Sequence, residues 1–185
     1  MVSPAQLLFI SVVVLLCVKF VHGSDQVLEF HKLAAAEGFS RSEMQDLLDS
    51  GVNVQSLTRD GESALHLACI NGNVGKIKYL LQKGCSANRR ANKLATSLHM
   101  TPLTWCIYGG HTAAVKAMLA DKDTDLNLVV QQEDGGYITA TDIATKIGDM
   151  GEEIRRLLRA ADGQTFEQLK RKHHFVVGSI PGMPH

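Results

Sequence analysis

Cysteine thiols are the first groups in this chain whose type and spacing could support chemistry, as disulfides or as metal ligands. The chain has 185 residues and four cysteines, Cys17, Cys69, Cys85 and Cys106. Cys17 lies in an N-terminal apolar segment that we expect to be removed, and the odd number that remains cannot close into a complete disulfide framework. We predict that Cys69, Cys85 and Cys106 are small buried apolar residues, with a Cys69–Cys106 bridge as the alternative that a free-thiol count would test.

Histidines and short motifs give no sign of an active site. The sequence contains no Ser/His/Asp nucleophile elbow, P-loop, dinucleotide fingerprint or HExxH. His173 and His174 have no cysteine or histidine at a spacing that would complete a metal site. The sequence therefore predicts no catalytic residues, no cofactor and no metal.

The charge balance limits the class of partner. Lysine plus arginine and aspartate plus glutamate both number 19, so the formal net charge is zero. A neutral chain has no overall field that attracts nucleic acid or anionic lipid. Aromatic residues are 5% of the chain and hydrophobic residues 45%, a composition that favours a helical core built from Leu, Ala, Val and Ile. We expect another protein as the partner and no nucleic acid.

The N-terminal segment has the features of a targeting signal. The stretch from Leu7 to Val18 is apolar apart from Ser11, and about 12 residues cover about 18 Å, well short of the roughly 30 Å hydrocarbon core. Val21 and Gly23 suit the −3 and −1 positions of signal peptidase, so we predict a signal peptide over residues 1–23. The chain is then expected to be secreted or to enter the endomembrane lumen. The n-region has no Lys or Arg, so an uncleaved membrane anchor is one alternative and a buried N-terminal helix another.

The central part of the chain repeats itself. The segment Thr101–Cys106 matches Ser63–Ala68 at an offset of 38 residues, and the same offset leads on to a degenerate copy that starts at Thr139. An upstream copy begins near His31 with a one-residue deletion. The other matched positions in the two central copies are Gly72 with Gly110, Ile77 with Val115, and Leu80-Leu81 with Met118-Leu119.

Each copy predicts a pair of short helices. Ser63 and Thr101 suit an N-cap, and Pro102 follows at the first helical position. Gly72 and Gly110 are placed to end the first helix in a left-handed conformation. Second helices are predicted near residues 74–82 and 112–120 from their apolar spacing. Neither helix can bury its apolar face alone, so each pair must stack on the next.

The two central copies resemble the ankyrin repeat, whose unit carries Thr-Pro-Leu-His-x-Ala followed by Gly, Leu-Leu, Gly-Ala and Asn. The resemblance covers about residues 27–160. It implies an all-α repeat solenoid, an ankyrin stack of about four helix-turn-helix units with hairpin fingers. The implied organisation is a signal peptide (1–23), an N-terminal capping repeat (24–60), two ankyrin repeats with extended fingers (61–100 and 101–136), a degenerate C-terminal repeat (137–163), and a capping helix with a flexible tail (164–185).

Two inter-repeat loops are longer than the resemblance predicts. Thr101 follows Asn88 by 13 residues where about eight are expected, and Thr139 follows Asn127 by 12. The first insert is basic, the second is acidic near a Gly-Gly turn that suits a β-hairpin, and neutral drift in loop length is the alternative explanation. In the ankyrin family such fingers lie beside the concave inner-helix face, the usual partner site. The predicted partner-binding residues are Arg89, Arg90, Lys93, Ile107, Tyr108, Glu133 and Asp134.

The C-terminal segment predicts a cover for the stack. Residues 164–174 suit a polar capping helix with Phe166 and Leu169 docked, and residues 175–185 suit a flexible tail. The whole sequence thus predicts a monomeric, non-enzymatic protein-interaction module, an adaptor or effector of the secretory pathway. The alternative is a chaperone-like or accessory subunit of a lumenal or membrane complex. Contact with a membrane is expected only if the N-terminal segment stays as an anchor.

Overall fold

A computed structural model of the protein describes residues 25–91, 99–132 and 135–172. The predicted signal peptide, Lys93, Glu133, Asp134 and the predicted tail lie outside the described residues. Within the described ranges, no helix is long and apolar enough to cross a membrane.

The described chain forms consecutive helix pairs that stack side by side, which confirms the all-α repeat architecture. We call α1 with α2, α3 with α4, α5 with α6 and α7 with α8 units 1 to 4, and the first helix of each pair the inner helix. Among units 2 to 4, inner helices pack on inner helices and outer helices on outer helices. The elements are α1 (25–35), α2 (Arg41–Asp49), α3 (Ala64–Ile70), α4 (Val74–Gln82), α5 (Pro102–Tyr108), α6 (Thr112–Leu119), β1 (Val130–Gln131), β2 (Tyr137–Ile138), α7 (Ala140–Lys146), a 3-10 turn (Gly148–Gly151), α8 (Glu152–Ala160) and α9 (Phe166–Lys172).

The inner helices α3, α5 and α7 begin in the same way. In each, the side chain of the third helical residue accepts a hydrogen bond from the backbone N–H of the N-cap residue, at 2.8–3.0 Å. This capping box satisfies a backbone donor that the helix itself leaves without a partner. The predicted N-caps Ser63 and Thr101 are confirmed. The three pairs are Ser63–His66, Thr101–Thr104 and Thr139–Asp142.

Gly72 shows why glycine separates an inner helix from its outer helix. Its φ is +64°, a left-handed conformation that side chains rarely adopt, and a Cβ built there would come within 2.5 Å of the His111 ring. The His111 imidazole in turn lies 2.9 Å from the Ile70 carbonyl oxygen through Nε2. The glycine therefore makes room for a side chain of the next unit as well as permitting the turn.

Small and aliphatic side chains fill the interior between the helix layers. Ala68 and Cys106 occupy equivalent positions in α3 and α5, and both are fully buried. Cys69 and Cys85 are also buried, and all three described cysteines are free thiols. The prediction that they lie in the core is confirmed. The larger buried side chains include Leu65, Ile77, Leu80, Leu103, Val115, Met118, Ile154 and Leu158.

Side-chain amides link each unit to the following one. Asn88 donates from Nδ2 to the Asp123 carbonyl oxygen at 2.6 Å and accepts through Oδ1 from the Asp125 N–H at 2.8 Å. Gln55 and Asn127 make the same two-bond contact with the next unit, and we call the three contacts the amide ladder. The backbone groups engaged are Gly84 O and Ser86 N for Gln55, and Asp162 O and Gln164 N for Asn127.

Unit 1 is held to unit 2 by a buried lysine. The Lys76 side chain of α4 is fully inaccessible to solvent, and its ammonium donates to the carbonyl oxygens of Leu33 at 2.6 Å, Ala34 at 3.2 Å and Ala36. These carbonyls belong to the end of α1, where the negative end of the helix dipole favours a cation. Burial lowers the pKa of Lys76. The contact joins unit 1 to unit 2.

A further helix, α9, follows unit 4. Leu169 is buried against Val129, and the rings of Phe166 and Tyr137 lie with centroids 5.7 Å apart. The structure thus has a helix within the predicted range 164–174, with Phe166 and Leu169 packed; that it caps the stack stays a prediction. Because Val129 and Tyr137 belong to the loop between units 3 and 4, α9 packs on that loop.

Replacing Lys76 with methionine tests whether its hydrogen bonds to the end of α1 stabilise the stack. Lys76→Met keeps an unbranched apolar side chain but removes the charged donor from three carbonyl groups. We expect the free energy of unfolding to fall by about 2–4 kcal/mol, measured by urea denaturation. Lys78→Met, on the exposed side of the same helix, is the control and should change stability by less than about 0.5 kcal/mol. Equal losses of unfolding free energy in Lys76→Met and Lys78→Met would contradict a stabilising role for the contact between Lys76 and α1.

Candidate functional site

Two large apolar side chains are exposed at the same position of neighbouring inner helices. Ile70 ends α3 and Tyr108 ends α5, 38 residues later, and their exposed fractions are 43% and 63%. The equivalent residue of α7 is Lys146, which is also exposed. We call Ile70, Tyr108 and Lys146 the inner-helix surface. Each residue is presented by the last turn of a helix that is packed on both neighbours or on the cap.

Tyr108 has a supported position on this surface. Its ring packs edge-to-face on Trp105, with centroids 6.3 Å apart and planes at 84°. Trp105 is half-buried and packs against the core. An exposed aromatic ring on a rigid base loses little conformational entropy on binding, which is typical of an anchor residue in an interface.

The structure corrects the prediction for Ile107. This residue was expected to contact a partner beside Tyr108, but its exposed fraction is 0% and it belongs to the core. One helical residue turns the side chain by about 100°, so the neighbour of an exposed residue points towards the next helix. Ile107 is equivalent to Cys69, which is also buried. It contributes to packing between units and offers no surface to a partner.

The two arginines of the basic insert differ in environment. Arg89 is exposed. The Arg90 guanidinium is half-buried and donates from Nη1 to the Val129 carbonyl oxygen of the following loop. Burial lowers the pKa of Arg90, and the nearby Asp125 carboxylate acts in the opposite direction. Arg90 thus orients one loop against the next, and Arg89 remains the better candidate for a partner contact.

The loop between units 3 and 4 forms the predicted β-hairpin. Strands β1 and β2 are antiparallel, with Val130 opposite Ile138 and Gln131 opposite Tyr137. Lys146 donates from Nζ to Gln132 Oε1 at 2.5 Å, which places the hairpin beside the inner-helix surface. Since α9 packs on the same loop through Val129 and Tyr137, part of it is covered by the chain itself.

His66 is hydrogen-bonded to the end of the basic insert. Its Nδ1 accepts from the Ser63 N–H at 3.0 Å and lies 2.8 Å from Ser63 Oγ, and Nε2 contacts the Met100 carbonyl oxygen at 3.1 Å. Burial lowers the pKa of His66 to about 4, although hydrogen bonds to the Met100 and Arg89 carbonyls oppose the shift. The imidazole is therefore neutral near pH 7. Its Met100 contact binds it to the end of the insert that precedes α5.

Metal ligands do not cluster in the part of the chain that the structure describes. No group of three or more His, Cys, Asp or Glu side chains there is arranged to hold a metal ion. Sequence reasoning missed Lys146 as a surface residue. It could have been found, because it follows Tyr108 by 38 residues, the offset that already relates Tyr108 to Ile70.

Comparison with known proteins agrees with this geometry. A family model described as ankyrin repeats (3 copies) matches residues 32–130. The chain is similar to the serine/threonine-protein kinase TNNI3K of Rattus norvegicus, with 31% identity over 147 residues, which is 72% of this chain and 18% of that protein. It is also similar to the palmitoyltransferase ZDHHC13 of Mus musculus, with 32% identity over 75 residues, 40% of this chain and 11% of that protein.

A further match is the palmitoyltransferase ZDHHC17 of Danio rerio, with 29% identity over 75 residues, 40% of this chain and 12% of that protein. The chain spans about a fifth or less of the length of these relatives. The similarity therefore relates this chain to one part of each relative.

The low pKa of the buried His66 imidazole predicts that the protein loses stability in acid. The pKa of His66 is about 4 in the folded state, against an ordinary histidine pKa of 6.5, so the unfolded chain binds more protons between these two values. The free energy of unfolding should fall as the pH drops from 6.5 to 4, by up to about 3 kcal/mol from this residue. Urea denaturation at a series of pH values measures the slope.

His66→Gln should remove this part of the pH slope, because glutamine can complete a capping box without titrating. His111→Gln is the matched control, since it replaces another histidine that contacts a backbone carbonyl but leaves His66 in place. An acid slope in His66→Gln as steep as in the unchanged chain would show that other groups cause it.

Proposed function

This chain belongs to the ankyrin-repeat family, and from this premise we propose that it is a non-enzymatic protein-interaction module, an adaptor or effector, of the secretory pathway. Ankyrin repeats generally mediate binding between proteins, and a domain of this kind is typically non-catalytic. The single observation that carries the proposal for this chain is the exposed, ring-supported Tyr108 next to Ile70 on the inner-helix surface.

The composition of the surface supports a protein partner. Aromatic side chains are enriched among the residues that dominate interface energies, and Tyr108 is the most exposed large hydrophobic residue of the described chain. Ile70 extends the apolar area to the neighbouring unit, and Lys146 adds an exposed cation to the same surface. Both apolar residues lie on helices fixed by their neighbours, so binding requires little ordering.

We infer that the two lengthened loops flank this surface. His66 holds the end of the basic insert, and Arg90 holds the start of that insert against the next loop. Loops that carry recognition residues are commonly positioned by a rigid scaffold in this way. We infer that Arg89, together with Lys93, Glu133 and Asp134, contacts the partner beside Tyr108.

The secretory part of the proposal is supported by the N-terminal sequence alone. The apolar stretch from Leu7 to Val18 is followed by Val21 and Gly23 at the positions that signal peptidase prefers. The described residues begin at 25, so cleavage after Gly23 would remove none of them.

N-terminal sequencing of the protein made in a eukaryotic secretory host tests the leader. We expect the mature chain to begin at Ser24, and a Gly23→Arg variant, which puts a large charged residue at the −1 position, to be processed poorly or elsewhere. A chain that begins at Met1 and fractionates with membranes would support an uncleaved anchor. A chain that begins at Met1 and stays in the cytosol would overturn the secretory proposal.

Truncating Tyr108 tests the inner-helix surface. A partner captured from the native host with the unchanged chain is purified, and its affinity is compared with that for Tyr108→Ala. Loss of an aromatic anchor costs about 2–4 kcal/mol, so Kd should rise by a factor of about 30 to 1,000. Because Tyr108 is exposed, the stability of the variant should change little.

Leu28→Ala is the matched control for that comparison. Leu28 is an exposed apolar residue of α1 in unit 1, with an exposed fraction of 55%, and it lies outside the inner-helix surface. It should bind the partner like the unchanged chain. If Tyr108→Ala binds the partner as tightly as the unchanged chain does, Tyr108 is not part of the binding site.

A further inference from the structure

Adjacent basic residues occur at three places in the sequence, at residues 89–90, 155–156 and 170–172. Such pairs are the recognition element of endoproteases that hydrolyse the peptide bond after the second basic residue. These enzymes bind their substrate as an extended segment, so a pair inside a packed element is protected, whereas a pair in an exposed segment can be cut. The three places differ in how firmly the fold holds them.

The pair at 89–90 is held by contacts on both sides of the bond that would be cut. Arg90 is half-buried and donates to the Val129 carbonyl oxygen. The next residue, Ala91, has an exposed fraction of 1%, and its N–H donates to the Met100 carbonyl oxygen at 3.1 Å. Cleavage after Arg90 would require both residues to leave these contacts.

The pair at 155–156 lies inside α8. Arg155 donates from Nη1 to two backbone carbonyl oxygens, at 2.8 and 3.0 Å. Ile154 and Leu158, which flank the pair, both have an exposed fraction of 0%. An extended segment around Arg156 therefore requires the middle of α8 to open and both of these side chains to leave the core.

The run 170–172 forms the last turn of α9. Arg171 and Lys172 are exposed, and Lys170 forms an ion pair with Glu167 on the helix surface at 3.8 Å. Cations at the C-terminus of a helix also stabilise the helix through its dipole. The charge of the run is thus compatible with a structural role, and its accessibility is what distinguishes it from the other two pairs.

Helix α9 is held to the stack mainly through its first turn. The Phe166 N–H donates to the Asp142 carboxylate at 2.8 Å, and the Phe166 ring packs on Tyr137. Leu169 is the buried side chain of this helix. Helix ends open locally at little cost in free energy. The last turn can therefore open with the loss of one buried contact, while the first turn stays in place.

We propose that the run 170–172 is a proteolytic processing site, at which an endoprotease specific for paired basic residues hydrolyses the bond between Arg171 and Lys172. The co-reactant is water. The carbonyl carbon of Arg171 gains the hydroxyl group and becomes a carboxylate, and the amide nitrogen of Lys172 becomes an α-amine. The products are the stack, which keeps Phe166 and Leu169, and the peptide 172–185.

The proposal rests on the secretory part of the proposed function, because endoproteases of this class act in the secretory pathway. It leaves the inner-helix surface unchanged, since Ile70, Tyr108 and Lys146 all belong to the N-terminal product. A partner that binds there should bind the cleaved and the uncleaved chain with equal affinity.

Digestion of the folded, full chain with kexin, a subtilisin-like endoprotease of this specificity, tests the site. Mass spectrometry over a time course should find the peptide 172–185 as the first product, formed at least tenfold faster than any product cut after Arg90 or Arg156. Synthetic peptides 86–94 and 152–160 should both be cut, which would show that the fold protects these pairs. No cut after Arg171 in the folded chain, or cuts after Arg90 or Arg156 at an equal rate, would overturn the proposal.

Arg171→Gln tests recognition of the run. The variant removes the basic residue before the cut bond, so its cleavage there should be at least 100-fold slower. Because Arg171 is exposed, Tm should change by less than about 2 °C. Arg156→Gln is the matched control, since it replaces an exposed arginine of another pair, and it should be cut after Arg171 at the unchanged rate. Cleavage of Arg171→Gln as fast as that of the unchanged chain would contradict the assignment.

The protein made in a eukaryotic secretory host that expresses endoproteases of this class completes the test. The mass of the secreted chain should correspond to residues 24–171, with loss of the terminal basic residues to a carboxypeptidase counted as cleavage, and that of Arg171→Gln to residues 24–185. The N-terminus reports on the leader and the C-terminus on the cut, so the two proposals fail separately. A secreted chain that begins at Ser24 and ends at His185 would overturn the processing site. A cytosolic chain that begins at Met1 would overturn the secretory proposal, and processing in that pathway with it.

Discussion

The stack depends on the register of each unit against the next, and the amide ladder sets that register. A side-chain amide presents an acceptor and a donor at a fixed separation, so it fits a backbone N–H and C=O that lie two residues apart. Gln55, Asn88 and Asn127 repeat this fit along the described chain. The bonds are largely exposed to solvent, so each contributes modestly to stability, but a slip of one residue would break both bonds of a contact.

Because the register is constant, residues of different types make the same hydrogen bond at equivalent positions. His66, Thr104 and Asp142 all accept the N–H of their N-cap residue, although their chemistry ranges from an imidazole to a hydroxyl and a carboxylate. What differs is the second contact of each side chain. His66 reaches Met100, and the Asp142 carboxylate accepts from the N–H of Phe166 at the start of α9. The shared bond begins the helix, and the additional bond joins it to its neighbours.

The helix pairs could be predicted from residues that are close together in the sequence. The features that the sequence did not predict depend on contacts between units. N-caps such as Ser63 and the glycine at position 72 can be read from their neighbours along the chain. The burial of Ile107 depends on which side of α5 meets the adjoining unit, and Arg90 pairs with a carbonyl 39 residues away. The contact between Lys76 and α1 could not be predicted, because nothing in the sequence marks the three carbonyl groups that accept its hydrogen bonds.

The exposed residues Ile70 and Tyr108 lie in the middle of the stack, on units 2 and 3. Lys76 joins α1 to unit 2, and α9 packs on the loop before unit 4. Between them, the last turns of α3 and α5 are packed from both sides except where Ile70 and Tyr108 protrude. A partner that binds there depends on the separation of units 2 and 3.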